Sequence, residues 1–434
     1  MQLYSTNDPS LRVSFKEALF KGLPDDNGLY MPLEIPRLPG GFIQALKGLS
    51  FQEIAFDIAA NLLGDAIPKS NLQDIVECSI TFPAPVVPLD EHTFFLELFH
   101  GPSLAFKDFG ARFMAQTMSY FNRGEDKDLV ILVATSGDTG GAVAAGFHNT
   151  PGIRVVILYP SGKVSPLQEK QLTTPGGNVV ALEVEGAFDD CQALVKKAFL
   201  DKDLKSSMRL SSANSINIAR LIPQSFYYFE AWKQLPDRHG PVVFSVPSGN
   251  FGNLSAGIMA KKMGLPVHRF IAATNENRVV PEYLESGIYL PRPSVRTLSN
   301  AMDVGAPSNF ARMLDMYRST WNIMKSDIAG YSFSDEQTRV AMRDVDGRYR
   351  YIADPHGAVG YLAFRKYQME QAADATGIIL ETAHPAKFLE DVEAILGHPI
   401  EVPARLAALR HKTKRAVKMP IDFTIFKEWL LANF

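Results

Sequence analysis

Two cysteines in 434 residues, Cys78 and Cys191, cannot build a disulfide framework or a cysteine-based zinc site, so no metal centre is expected and a reducing compartment fits. No stretch approaches the roughly 18 consecutive apolar residues that argue for a membrane span. The start of the chain, Met1 to Thr6, has neither the basic region nor the apolar core of a secretory leader, and a cytoplasmic, unprocessed protein is expected. An excess of either charge is missing too: 44 Lys and Arg against 47 Asp and Glu give a formal net charge of -3, with the signs interspersed. That removes the broad basic footprint that nucleic acid or an anionic membrane would require, and any anion site must be local. Short-period repeats and low-complexity tracts are absent, which excludes solenoids and disordered arms.

What is present is apolar material, 46% of a chain too long for one ordinary core, which points to two or three domains. Residues 1–93 read as a mainly helical cap, with helical spacing over 14–20 and 51–63 and a structural turn at 28–32. Pro83, Pro85 and Pro88 bar continuous helix, and 94–98 follows as a short strand. From about Glu125 apolar runs of strand length (129–134, 155–158, 179–184) alternate with helical segments (140–148, 188–199). The same grammar returns with a strand at 242–246, a helix at 253–263 and a strand at 269–273. Strands buried on both faces and separated by helices imply parallel sheets with right-handed crossovers, hence a doubly wound α/β fold. Two units are expected: a smaller one at 125–225, inserted between the 94–124 and 226–434 parts of a larger one.

One lysine stands out, in the segment HGPSLAFKDFG from His100. Lys107 lies among small and aromatic residues just before a helix that Asp108 is expected to cap, with Phe109, Phe113, Met114, Met118 and Phe121 at helical spacing. A lysine held against apolar surface has its ammonium form disfavoured, which frees the amine for Schiff-base chemistry with a carbonyl. Base rates for lysine favour the plainer alternative of an exposed side chain ahead of a helix.

In open α/β sheets ligands bind beyond the carboxyl ends of the strands, and three polar, small-residue segments follow apolar runs there: 135–141, 247–253 and 381–387. The turn from Gly249 to Asn253 suits a phosphate, since its glycines let successive N–H groups converge and the next helix offers its positive end. A tight strand-to-helix turn would use the same glycines. Neither glycine loop reads G-x-G-x-x-G and no P-loop is present, which argues against a dinucleotide or nucleoside triphosphate. The stretch 211–220 joins amides and hydroxyls to Arg220, whose fork matches phosphate oxygens, while Asn214 or Ser215 serves equally as a cap for the aromatic helix carrying Phe226, Tyr227 and Phe229.

Six segments in this order, HGPSLAFKDFG, ATSGDTG from Ala134, SSANSINIAR from Ser211, PSGNFGN from Pro247, TLSNAMDVGAPSN from Thr297 and TAHPAKF from Thr382, closely resemble the bacterial threonine synthases over essentially the whole chain. These are pyridoxal-phosphate enzymes of the tryptophan-synthase β-subunit fold type. The resemblance implies a lyase that turns the small molecule O-phospho-L-homoserine and water into L-threonine and phosphate, as a monomer or homodimer. It puts Lys107 on the Schiff-base lysine. The cofactor phosphate falls on Gly249, Asn250, Phe251, Gly252 and Asn253, and Thr382 faces the pyridine nitrogen. Ser136, Thr139, Asn214, Ser215, Arg220 and Asn250 fall on the groups that meet the substrate's two anionic ends. Asp138 stands where other branches carry Asn beside the cofactor's phenolic oxygen, and an aspartate there is expected to be either protonated or turned away. A phospho-lyase giving 2-oxobutyrate and a non-catalytic phosphate sensor on the same fold are the alternatives.

Overall fold

Strand by strand, the continuous apolar runs become the centres of two parallel sheets, in a computed structural model that describes residues 1–236 and 240–434. In chain order the strands are β1 (Gln2–Ser5), β2 (Arg12–Ser14), β3 (Tyr30–Pro32), β4 (Val86–Pro88), β5 (Thr93–Glu97), β6 (Leu129–Ala134), β7 (Ile153–Pro160), β8 (Val179–Val184), β9 (Arg209–Ser212), β10 (Val242–Pro247), β11 (Arg269–Thr274), β12 (Ile328–Ser332), β13 (Thr376–Glu381) and β14 (Val417–Met419). A six-stranded sheet runs β12-β11-β10-β13-β5-β4, parallel except for β4 on the edge. A five-stranded, wholly parallel sheet runs β14-β8-β7-β6-β9. Every residue of β6, β10 and β13 is buried, as strands covered by helices on both faces require.

The N-terminal segment holds the expected helices, Phe15–Lys21 and Phe51–Leu63, each begun by a reciprocal Ser-to-Glu capping box, Ser14 with Glu17 and Ser50 with Glu53. Besides helices it contains the antiparallel sheet β2-β1-β3, so Tyr30 to Pro32 is a strand. The chain's end also departs from expectation. β14 pairs in parallel with β8, and the last residues therefore return to the five-stranded sheet although everything after 225 was assigned to the larger unit.

The Lys107–Phe121 helix is pinned by Phe109, Phe113, Met114 and Met118, all fully buried. Burying such a side chain contributes about 1.5–3 kcal/mol, so four of them make this helix a rigid base for its first residue. The Phe109 ring meets Tyr227 at 5.5 Å between centroids, and Tyr228 continues to Phe244 at 4.9 Å, tying the helix to β10. Phe106, not Asp108, occupies the cap position. Asp108 lies inside the first turn, where its carboxylate accepts the Ser103 N–H at 2.8 Å. Neither Asn214 nor Ser215 caps a helix: Asn217 caps Ile218–Leu221 through the Ala219 N–H, and the aromatic helix Phe226–Gln234 follows a 3-10 turn. Among the described residues no helix is long and apolar enough to cross a membrane.

Candidate active site

The loops beyond the carboxyl ends of β5, β6, β10 and β13 converge between the two large sheets. The β5 loop is sewn to the β13 loop by backbone hydrogen bonds, Phe106 N–H to the Thr382 carbonyl at 2.9 Å and His384 N–H to the Leu104 carbonyl at 3.1 Å. Leu104 sits at φ 60°, the bend that turns the chain into the helix beginning with Lys107. Lys107 and the buried Thr382 are thus fixed in one frame.

The Lys107 side chain keeps 18% exposure, and its Nζ lies 3.6 Å from the Asp138 carboxylate and 5.5 Å from the centre of the Phe106 ring. Burial lowers its pKa; Asp138 opposes that, while Lys387 and Arg220 add to it. Asp138 is the first residue of the helix Asp138–Phe147, reached through Gly137 at φ 141°, where a Cβ would lie 2.9 Å from the Gln168 carboxamide carbon. The Asp138 carboxylate accepts from Lys387 Nζ at 2.7 Å and from Gln168 Nε2 at 2.9 Å. Burial pushes this carboxyl up, but the Lys387 and Lys107 ammonium groups and these hydrogen bonds outweigh it and hold it far below the usual carboxylate range. Asp138 is therefore held as a carboxylate, against the protonated alternative, and one of its oxygens faces Lys107.

Lys387 escaped the reading of the sequence, although its segment was singled out. It is 1% exposed and also donates to the Ser103 carbonyl at 2.8 Å, just upstream of Lys107. Gln171 Nε2 reaches the same carbonyl at 2.9 Å. Contacts from the loops and helices of the five-stranded sheet thereby close on the Lys107 segment.

The turn after β10 is built by its own side chains. Asn253 Nδ2 donates to the Pro247 carbonyl at 2.7 Å, and its Oδ1 accepts the Leu254 N–H at 3.0 Å. Phe251 takes φ 59°, and the helix Gly252–Lys262 begins with no acidic residue in its first turn. Asn250 reaches outward, donating to Ser215 Oγ at 2.8 Å and accepting the Ser308 N–H at 2.6 Å. Asn214 and Ser215 are half-buried beside it, while Thr139 is half-buried and Ser136 exposed at the start of the Asp138 helix.

Arg220 is 1% exposed and, among the described residues, has no carboxylate in contact and leaves Nε unpaired; Nη1 donates to the Ala213 carbonyl at 2.6 Å. A Cβ on Gly110 would lie 2.8 Å from that Nε, so the arginine packs against the Lys107 helix. Burial brings its pKa down to about 10, with Asp108 opposing, and burial pushes Asp108 up to about 6. Lys107 and Lys387 thus share the Asp138 carboxylate, while Arg220 acts on Lys107 as a further positive charge and has Asp108 as its nearby acidic group. The arrangement can hold anions and supply an amine.

The family model described as pyridoxal-phosphate dependent enzyme matches residues 80–381, and those described as threonine synthase N terminus and threonine synthase, C-terminal match 2–80 and 357–429. The chain is 45% identical to threonine synthase of Escherichia coli (strain K12) over 99% of both chains, and 46% identical to that of Haemophilus influenzae over 100% of both. Among solved structures it is similar to threonine synthase from Escherichia coli (TM-score 0.92, 44% identity, 100% of both chains). It is equally similar to a PLP-bound threonine synthase from Brucella melitensis (TM-score 0.93, 36% identity, 100% of this chain and 99% of that one). Maize serine racemase, at 16% identity and TM-score 0.56, shares the fold.

Proposed function

The chain belongs to the threonine synthase family of pyridoxal-phosphate-dependent lyases, and we propose that it converts O-phospho-L-homoserine and water to L-threonine and phosphate with Lys107 as the amine that holds the cofactor. The residues present fit pyridoxal 5'-phosphate: a desolvated lysine for its aldehyde, a glycine turn at a helix start without acidic residues for its phosphate, and the buried Thr382 beside the lysine loop for its ring. When bound, the cofactor supplies the electron sink that acidifies the hydrogen on the substrate's α-carbon.

The protein's own groups do the rest. Lys107, neutral more readily than an ordinary lysine, takes and returns protons at the α- and β-carbons. Asp138, kept ionised by Lys387, orients the Lys107 amine whenever it carries a proton. Arg220 offers a charge with no carboxylate partner to the substrate's phosphate or carboxylate, and Asn250 with Ser215, Asn214, Ser136 and Thr139 supply neutral donors at the cleft. The unit around residues 125–225 closes against the larger one, so that water reaches the β-carbon only after phosphate has left. The enzyme acts in the cytoplasm on a small-molecule substrate.

The observation that carries this reading is the Lys107–Asp138–Lys387 arrangement, because a protein that merely bound phosphate would have no use for a desolvated amine held in register by two buried charges. Borohydride reduction of the protein with pyridoxal phosphate, followed by peptide mapping, is expected to place the label on Lys107, and the purified enzyme is expected to form threonine and phosphate in equal amounts. Label elsewhere, or release of phosphate with 2-oxobutyrate in place of threonine, would overturn it.

A further inference from the structure

Behind the cradle lies a buried pair that the reaction does not call upon directly. Asp354 caps the helix Pro355–Glu370, with Pro355 at the first position, and is fully buried; His356 is 2% exposed against the Phe388 ring. As a local motif this is an ordinary helix start. Its carboxylate does more than cap. One oxygen accepts both the backbone N–H and the ring Nδ1–H of His356, and the other accepts the Ala383 N–H at 3.3 Å. Ala383 is the residue after Thr382.

The opposite edge of the imidazole faces the 297–303 segment. Nε2 of His356 accepts the Ala301 N–H at 3.2 Å, so the ring carries its proton on Nδ1, toward Asp354. Ala301 in turn lies under the glycine turn: a Cβ on Gly249 would be 2.7 Å from the Met302 Cα and 2.8 Å from the Ala301 carbonyl oxygen. Only a glycine allows that approach, and the position of Gly249 is set by where Ala301 is held. A short path therefore runs from Thr382 through Ala383, Asp354, His356 and Ala301 to Gly249. Glu381, which accepts the Asp354 N–H at 2.5 Å, packs its carboxyl against Gly357 and closes the back of the pair.

We propose that Asp354 and His356 are positioning residues that set the distance between the Gly249 turn and the Thr382 strand end, and so fix the cradle for the cofactor's phosphate and ring together. This rests on the reading of those two segments as the cofactor site. β10 and β13 are paired neighbours, but their ladder ends at Ser245 and Ile379, so the Gly249 turn and Thr382 lie beyond it and their separation is set by the contacts that the loops themselves make.

Two substitutions separate this role from simple packing. His356→Asn keeps a donor where Nδ1 stood but has no acceptor within reach of Ala301. His356→Gln reaches as far as Nε2 and restores an acceptor for the Ala301 N–H. Apo-protein is titrated with pyridoxal phosphate, following its absorbance and the phosphorus resonance of the bound form. His356→Asn is expected to weaken binding at least tenfold and shift the resonance, whereas His356→Gln stays within about threefold of wild type. Equal affinities for all three proteins, or equal losses in both variants, would overturn the inference. Borohydride mapping of the wild type tests the underlying reading separately: label away from Lys107 removes the cradle itself, whereas label on Lys107 with no difference between the variants removes only the positioning pair.

Discussion

Lys387 holds Asp138 at 2.7 Å, on the side of the carboxylate away from Lys107, which is 3.6 Å from the other oxygen. Burial is the main cause that lowers the Lys107 pKa; Asp138 opposes it, and the positive charge of Lys387 on the same carboxylate adds to the lowering. In Lys387→Met, a neutral side chain of similar length, the like charge that depresses Lys107 is gone and Asp138 is left to Lys107 alone; both changes raise the lysine's pKa. The pH midpoint for borohydride trapping of pyridoxal phosphate on Lys107 is expected to move upward. Stability is expected to fall by about 3 kcal/mol, the order found when one partner of a buried pair is removed. An unchanged midpoint would mean that Lys387 does not govern the amine.

Asp108 gives a pH dependence with a definite sign. Burial raises its carboxyl from 3.8 to about 6, and one oxygen has no hydrogen-bond partner. Between those values the folded protein holds a proton that the unfolded chain has released, so this group's contribution falls as pH rises through the window and is fully favourable only below about 4. Asp108→Asn imitates the protonated form at every pH and can keep the acceptor for the Ser103 N–H. Thermal or urea unfolding of the apo-protein is expected to show the variant more stable at pH 8, by up to about 3 kcal/mol, with the advantage gone below pH 4. An advantage that persisted at pH 4 would place the effect elsewhere.

How much of this was legible beforehand depended on length and on what each residue would look like without its neighbours. Strands such as Leu129–Ala134 and Val242–Val246 announce themselves because a parallel sheet buries both faces and leaves an unbroken apolar run. The three-residue strands β2 and β14 carry no such run; Val417–Met419 is exposed at its first two positions, and its pairing with β8 is decided by tertiary contact. Lys107 could be found because aromatic and small residues surround it in sequence. Lys387 could not, since the groups that neutralise its burial, Asp138 and the Ser103 carbonyl, are distant along the chain. Asp354 and His356 spell a helix start, and the second use of that carboxylate appears only when Ala383 is folded onto it.

Thr382 tests the electronic side of the site. On the proposed placement, the Thr382 hydroxyl would leave the cofactor's nitrogen without a full charge partner, which would limit how far it withdraws electrons and disfavour side reactions of the deprotonated substrate. Thr382→Asp, with the neighbouring Glu381 already pushed well above the usual range by burial and by Asp354, is expected to divert a larger share of turnover to side products such as 2-oxobutyrate, with cofactor still bound. Product analysis by chromatography alongside the cofactor's absorbance spectrum is the check. Identical partition and spectrum would show that residue 382 does not face the ring.

On the proposed reading, Arg220 bears on substrate and not on cofactor. It is buried with no ion-pair contact among the described residues and lies against Gly110 of the helix that Lys107 begins, which is the basis for proposing a ligand anion as its partner. Arg220→Lys preserves charge but replaces the two-pronged fork with a point donor, and Arg220→Ala removes both. A lost charge-assisted hydrogen bond is worth about 1.5–3 kcal/mol, or roughly 10- to 150-fold in affinity. KM for O-phospho-L-homoserine is expected to rise by that factor in the alanine variant and by less in the lysine variant, while titration of each apo-protein with pyridoxal phosphate stays close to wild type. The reverse result, cofactor affinity lost with KM unchanged, would move Arg220 from the substrate's side of the site to the cofactor's.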